Sequence, residues 1–489
     1  MEWKELLCPE RRGIDAVNAL WAKGRDFRTE YEKDYDHIIA SASFRRLQDK
    51  TQVFPLDKSD FIRTRLTHSL EVSSIAKSLA QNISRNMMAS GKDPNYTWET
   101  ADAVGSVVQC AGLIHDIGNP PFGHFGETAI RQWFQDNLDQ LIYFDRNVKD
   151  MLTPQMMQDF LLFEGNAQAL RLVTKLHFST ELSGMNLTYA VLSTILKYTA
   201  SSITADSHAG NIKYKKMGYF YADQDVYEEI QEKTGTHGCR NPMTYILEAA
   251  DDIAYKTADI EDAVKKGCIT YSMLERELGH LNCSSEKRSK DYFDPLKELQ
   301  KRYSNTCDME STLQNEYNRG IRLNNKDLEF YVIQNWALSV KNYLIKCATH
   351  GFMEHYDEIM AGTYEHDLFY GTYGEGLEKA MSDIAYRNAF VSEPIYKLEI
   401  SAGHMLNFLL DKFVKAAMYF DTDKELGTID DKLVFLISNN YVQRYYMDSK
   451  NKTEEEKLYL RLLLATDLVC GMTDSYAQGL YQELNGIRS

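Results

Sequence analysis

Two histidines and two aspartates in this chain have the types and spacing to hold a divalent cation: His68, the adjacent pair His115 and Asp116, and Asp251. Adjacent His-Asp at a helix end brings an imidazole nitrogen and a carboxylate oxygen to one point in space. A further His and a further Asp, from two other helices, complete an equatorial shell and leave positions open for water or phosphate oxygens. That nitrogen and oxygen set suits Mn, Fe, Co, Ni or Zn, and holds Mg less comfortably because imidazole is softer than oxygen. Such an ion activates water and draws charge off phosphate. An isolated His-Asp dipeptide, or a lone histidine opening an amphipathic helix, is more often structural. The surrounding segments change that balance: RTRLTHSLEV, CAGLIHDIGNPPFGHFGE and LEAADDIAYKTADIEDA.

These residues must be positioned by helices. Residues 31–50 read as a helix carrying an Arg-Arg pair and ending near Phe54-Pro55. A second begins near Leu66, with Leu70, Ile75, Leu79 and Ile83 at helical spacing, and GKDPN at 91–95 closes it. A third, over 99–117, carries Val104, Val107, Val108, Ala111 and Ile114 and delivers His115-Asp116 at its end. The Gly/Pro-rich IGNPPFGHFGE that follows is a loop of the kind that bends backbone toward a ligand. Further helices are expected at 125–138, 156–177, 186–198, 222–233 and 242–266, with a polar loop at 200–220. If FGETAI opens a helix, His124 and Glu127 stand side by side at i and i+3, and the carboxylate can orient the ring. A polar break at 282–292 divides a catalytic helical core, 1–281, from a C-terminal helical region, 282–489. That region carries helices at 326–348, 376–389, 396–418 and 454–483, expected to pack on the core and contribute to the pocket and to oligomer contacts. With only 9 prolines and 27 glycines the expected fold is all-α with little or no β.

Composition narrows the partners. A net charge of −16, from 55 basic and 71 acidic side chains, disfavours indiscriminate binding of nucleic acid, so a polyphosphate must find a local cluster of Lys and Arg. The 8 cysteines are scattered without a C-x-x-C pair, which argues against a disulfide framework or a thiolate zinc site. The start, MEWKELLCPERRG, lacks the apolar core of a signal peptide, and no apolar run approaches the ~18 residues of a membrane span. A cytoplasmic protein without membrane contact is expected.

The three segments around the His and Asp residues resemble the HD-domain phosphohydrolases, and specifically the bacterial deoxyguanosinetriphosphate triphosphohydrolase (dGTPase) family. Further matching stretches are FRRLQDKTQVFPL (44–56), FEGNAQALRLV (163–173), NLTYAVLSTILKYT (186–199) and CGMTDSYA (470–477). The resemblance runs from about residue 26 onward and is weakest at 270–390. It implies an all-α HD-domain core holding one divalent metal per subunit, of the Mn, Mg or Fe/Co/Ni class, through His68, His115, Asp116 and Asp251. Asp251 is chosen over Asp252 because the family's last ligand is followed by Tyr and Asp four and eight residues on, here Tyr255 and Asp259. One helical face displays all three.

The resemblance also implies that His124 is the general acid for the departing 5′-oxygen, with Glu127 holding its tautomer. It places Arg65, Asn166, Lys197, Tyr198 and Lys216 near phosphate oxygens. Tyr255 would stack under the sugar and exclude a 2′-hydroxyl, and Asp259 would accept from the 3′-hydroxyl. Gln52 and Val53 look like nucleoside contacts, and Glu399 suits the donor-rich edge of guanine. Similar enzymes assemble as hexamers, and single-stranded DNA is an effector to be considered. Where familiar members carry an Arg/His-rich stretch, this chain has NNYVQRYYMD (439–448), with Arg444 its only firmly charged base. The expected reaction is hydrolysis of dGTP, or of other deoxynucleoside triphosphates, to deoxynucleoside and tripolyphosphate. The alternatives are an HD-type phosphodiesterase or phosphatase on another nucleotide, or a nucleotide or single-stranded-DNA sensor with secondary hydrolysis.

Overall fold

A computed structural model describes residues 1–12, 26–54, 56, 62–177, 184–284, 309–391 and 393–487. The fold is all-α. The one sheet among the described residues is a hairpin pairing Ile142–Tyr143 with Arg146–Asn147. The helices that position the site are α1 (Glu30–Ala40), α2 (Arg65–Ser90), α3 (Trp98–Ile114), α4 (His124–Asn137), α5 (Pro154–Leu161) and α6 (Gly165–Arg171). They continue with α7 (Pro242–Lys265), α8 (Leu328–Glu354), α9 (Gly374–Ala385), α10 (Glu393–Ala417), α11 (Glu454–Cys470) and α12 (Asp474–Leu484).

Local signals set the ends of these helices. Thr64 caps α2 by accepting from the Thr67 amide, and Thr97 does the same for α3 through Thr100. Asn241 accepts from Met243 at the start of α7, where Pro242 sits at a position that needs no amide donor. Ile75, Leu79 and Ile83 of α2 are buried as their spacing predicts, whereas Leu70 is exposed. All five apolar positions predicted for α3 are buried.

Helices α2 and α3 lie side by side, and α7 packs on α2 and on α3. A Cβ at Gly112 would come 2.6 Å from the Cα of Ser73, so this glycine sets how closely α3 approaches α2. From the other half of the chain, α10 packs on α4 and α8 on α7, and one apolar core joins Leu6, Val108, Ile253, Trp336, Leu406 and Leu463. No helix among the described residues is long and apolar enough to cross a membrane.

Several predicted helices are shorter than their apolar periodicity implied. The 31–50 helix is interrupted at Ser41, extended at φ −74° and ψ 143°, which ends α1 and caps the next turn. The 156–177 helix breaks between α5 and α6 at the FEG segment and finishes in a π turn over Leu172–Leu176. Only Tyr189–Thr194 of 186–198 is α-helical. The 454–483 segment is two helices, because Thr473 caps α12 three residues after α11 ends. The helix at Tyr271–Ser284 runs through the expected boundary at 281/282, and residues 285–292 of the expected break lie outside the described residues.

Candidate metal and catalytic site

The close approach of α2 and α3 puts the His68 and His115 rings 5.2 Å apart, edge to face. Asp251 reaches both from α7: its Oδ1 lies 3.1 Å from His68 Nε2 and 3.4 Å from His115 Nε2. His68, His115 and Asp251 each offer a ligand atom within 4.8 Å of the others, close enough to share one ion. His115 Nδ1 lies 2.8 Å from the Gly112 carbonyl, which only accepts, so this nitrogen carries the proton. His115 Nε2 is buried with no hydrogen-bond partner and faces Asp251, so it is the atom a metal ion would take in place of a proton.

Asp116 stands beside this trio, with Oδ2 3.7 Å from His115 Nε2. Its oxygens are oriented by Arg65 and by Asn119 Nδ2, the latter at 2.7 Å. Asp252, the neighbour of Asp251, turns away and pairs with Lys256 at 3.3 Å. Burial disfavours charge on His115, but Asp116 and Asp251 outweigh it and raise its pKa to about 9. Burial likewise works against the two carboxylates. Arg65 and His115 nevertheless hold Asp116 below the ordinary range, and His115 and His68 do so for Asp251. A field that attracts a proton this strongly attracts a cation for the same reason.

A cavity of about 200 Å³ opens beside the trio, lined by His115, Asp116, Asp251, His124, Asn166, Lys197, Tyr198 and Lys216. These eight were expected from the sequence; Asn119, Ile195, Lys215, Thr244, Leu247 and Glu248, which were not, complete the lining. Lys197 Nζ sits 3.5 Å from Glu248 and 3.8 Å from Asp251; burial lowers its pKa, and the surrounding carboxylates, Glu248 first, raise it well above the ordinary value. Lys216 Nζ lies 2.9 Å from Glu164. Both ammonium groups are therefore charged at neutral pH, in a cleft of an otherwise acidic protein.

His124 opens α4, and Glu127 is one turn on, as the i, i+3 spacing required. His124 Nδ1 is 3.0 Å from Glu127 Oε2, its ring 78% exposed while the carboxylate is only 2% exposed. Glu127 also accepts from Arg131 at 3.2 Å and from the Gly165 amide at 2.7 Å. Burial opposes its charge, yet His124 first, then Lys216 and Arg131, hold its pKa at about 2; in return its hydrogen bond raises that of His124. A Cβ at Gly165 would come 2.2 Å from Asn119 Oδ1 and 2.7 Å from Glu127 Oε1, so the break between α5 and α6 makes room for both groups.

Eight predicted residues are not in the cavity lining: His68, Arg65 and Glu127 bond residues that are, and the other five are Gln52, Val53, Tyr255, Asp259 and Glu399. Gln52 and Val53 occupy a half-buried bend after Thr51, and the Gln52 Oε1 is buried without a partner. Tyr255 continues the α7 face from Asp251 toward α9; burial raises its hydroxyl pKa to about 12, against a hydrogen bond from Ser382. Asp259 follows on that face, 1% exposed, with neither oxygen bonded, and burial raises its pKa well above the carboxylate range. Glu399 is half-buried on α10, one turn before Gly403, which packs against Phe125. Conversely, Asn119, Glu164, Arg131 and Glu248 were not predicted. Asn119 and Glu248 are each three residues from a predicted ligand, and Glu164 is two from Asn166, so proximity in sequence was the available signal.

Residues 65–193 match the HD domain family, a span that takes in His68, His115 and Asp116 and stops short of Asp251. Over its full length the chain is 42% identical to a "deoxyguanosinetriphosphate triphosphohydrolase-like protein" of Listeria innocua, covering 100% of both. A protein of the same description from Pseudomonas aeruginosa is 32% identical, with 99% of each chain covered. A "deoxyguanosinetriphosphate triphosphohydrolase" of Serratia proteamaculans is 29% identical over 94% of each.

Proposed function

The chain belongs to the HD-domain family of deoxyguanosinetriphosphate triphosphohydrolases and their like, and from that premise we propose that it hydrolyses dGTP, or a wider set of deoxynucleoside triphosphates, to deoxynucleoside and tripolyphosphate. The observation that carries this is the trio His68, His115 and Asp251, two of which, His115 and Asp251, line a cavity that also holds His124, Lys197 and Lys216. We assign metal binding to that trio with Asp116 as fourth ligand, oriented by Arg65 and Asn119. The two imidazoles favour Mn, Fe, Co or Ni over Mg. When bound, the cation supplies Lewis acidity, which makes water more acidic and draws charge from phosphate.

The chain's own groups do the rest. Lys197 and Lys216 both line the cavity and bind the phosphate oxygens, with Asn166 and Tyr198 donating hydrogen bonds. Desolvation strengthens such charge-assisted contacts and lets an acidic protein retain a polyanion. His124 delivers a proton to the 5′-oxygen as the bond from the alpha-phosphorus breaks. Glu127 keeps that proton available by stabilising the imidazolium, and Arg131 and the Gly165 amide fix the carboxylate that does so.

Tyr255 and Asp259, further along α7, are assigned to the sugar. Burial raises the Asp259 pKa and so favours its protonated form, which can donate to, or accept from, a 3′-hydroxyl. Gln52, Val53 and Glu399 are assigned to the nucleoside end.

Ion chromatography of products from dGTP and Mn tests the reading. Intact tripolyphosphate is expected, and pyrophosphate or single phosphate would refute it. Comparison of the four deoxynucleoside triphosphates then fixes the breadth of specificity. His115→Ala with Asp116→Ala should abolish turnover.

A further inference from the structure

Two stretches have no part in the reaction as described, Asp49-Lys50-Thr51 and Gly471-Met472-Thr473-Asp474, yet they meet against the loop between Asp116 and His124. Lys50 is buried, and its Nζ donates to the Asn119 carbonyl at 2.6 Å and to the Cys470 carbonyl, at the end of α11, at 2.7 Å. Asp474, the first residue of α12, is equally buried. Its Oδ1 accepts from the Phe122 amide at 2.9 Å, and its Oδ2 accepts from the Thr51 amide at 2.9 Å and from the Thr51 hydroxyl. The Lys50 carbonyl in turn accepts from the Arg65 amide at 3.0 Å, which ties the same segment to the start of α2.

The loop is thus gripped at both ends, at the Asn119 carbonyl and the Phe122 amide, with Pro120 and Pro121 between. Each grip sits next to a group of the site. The Asn119 side chain bonds Asp116, and Phe122 is two residues from His124. Phe122 is held at φ +63°, a left-handed conformation that a bulky side chain rarely adopts and that persists only where the surroundings enforce it.

Neither buried charge forms an ion pair among the described residues; each instead bonds main chain. Apolar side chains would fill the same space without the desolvation penalty, so packing alone does not account for them.

We propose that Lys50 and Asp474 are positioning residues that brace the 119–122 backbone, so that Asp116 and His124 keep the geometry hydrolysis requires. The GMTD segment of the C-terminal half is then a working part of the active site. The inference rests on the assignment of His124 as proton donor given above. It also predicts what loosening does. Misplacing a reacting group by about 1 Å can cost about 100-fold in rate without touching substrate affinity.

The test compares Asp474→Asn and Lys50→Met with the unaltered full-length protein loaded with Mn. Amide hydrogen exchange by mass spectrometry should rise about tenfold or more in peptides spanning 117–126, and stay unchanged in α2 and α7. In the same samples kcat should fall about 10- to 100-fold, with KM within about twofold and the metal content unchanged. Uniformly faster exchange across the molecule, or unchanged exchange in 117–126, overturns the proposal, as does full kcat in both variants. If Asp474→Asn does not fold, Thr51→Val decides: it removes one bond to Asp474 and should raise exchange in 117–126 alone, and no rise there refutes the brace. A wild-type protein that releases no tripolyphosphate would refute the proposed function, while the exchange pattern would still judge the brace.

Discussion

Glu127→Gln removes one charge from the carboxylate behind His124 and keeps its volume, so it isolates what that charge does. In the wild type the carboxylate lies 3.0 Å from His124 Nδ1 and raises the histidine's pKa. A hydrogen bond to a charged group contributes about 1.5–3 kcal/mol, and one pKa unit corresponds to about 1.4 kcal/mol. Because the ring is 78% exposed, solvent screening cuts the effect to the low end, about one unit. The sign follows from the direction of the shift. The wild-type ring keeps its proton to higher pH, and the variant gives it up earlier. The alkaline limb of the kcat–pH profile should therefore move about one unit toward acid, so that kcat falls about tenfold beyond the loss from looser orientation once the limb is passed. Tripolyphosphate release at saturating dGTP, followed across pH with the metal content measured alongside, reads this out. An unmoved alkaline limb, or loss of the metal, would refute His124 as the proton donor backed by Glu127.

Other expectations follow from the same coordinates. The pKa of Glu127 is held at about 2 against an ordinary 4.5, so it contributes stability above about pH 4.5 that fades as pH falls toward 2. Acid titrations of wild type and Glu127→Gln, followed by circular dichroism, should differ most above that window and converge within it. His68→Ala and Asp251→Ala should each lose bound Mn by mass spectrometry, whereas His124→Ala should keep it and slow the chemical step; metal loss in His124→Ala would mean a ligand had been mistaken for an acid. Arg171 donates to Asp467 at 2.7 Å and to Asp223 at 3.2 Å, all three side chains buried. Arg171→Met leaves Asp467 with only Gln168 and Asp223 with only Lys175, and should cost about 3 kcal/mol in thermal or denaturant unfolding; an unchanged midpoint would contradict that account.

The helices that carry His68, His115 and Asp251 were legible because their apolar positions repeat at helical spacing and their starts carry strong caps, Thr64, Thr97 and Asn241. Periodicity alone could not show where a helix stops inside an apolar run. Ser41 ends one run by capping its successor, and the FEG segment breaks another, with Gly165 opening the next helix where the Asn119 and Glu127 side chains occupy the space a Cβ would need. The trio and His124 were legible as residue types in ordered motifs. Glu164, Arg131 and Glu248 were not, because a charged residue on a helix looks solvated until the fold buries it beside a partner. The sugar and base residues are a different case. Asp259 and Tyr255 follow Asp251 on one helical face as expected, but the cavity beside the trio does not reach them.

His68 and Asp251 are separated by 183 residues of chain. While that span is unfolded, an imidazole and a carboxylate so far apart meet rarely, and loop-closure entropy works against any cation that would bridge them. On the proposed assignment the ion would be a late arrival, taken up by a fold that already exists, unlike the small zinc modules whose metal directs folding from the outset. The cation bound should then follow the divalent ions available to the folded protein, and metal analysis of the protein grown in manganese-poor and manganese-rich media should differ.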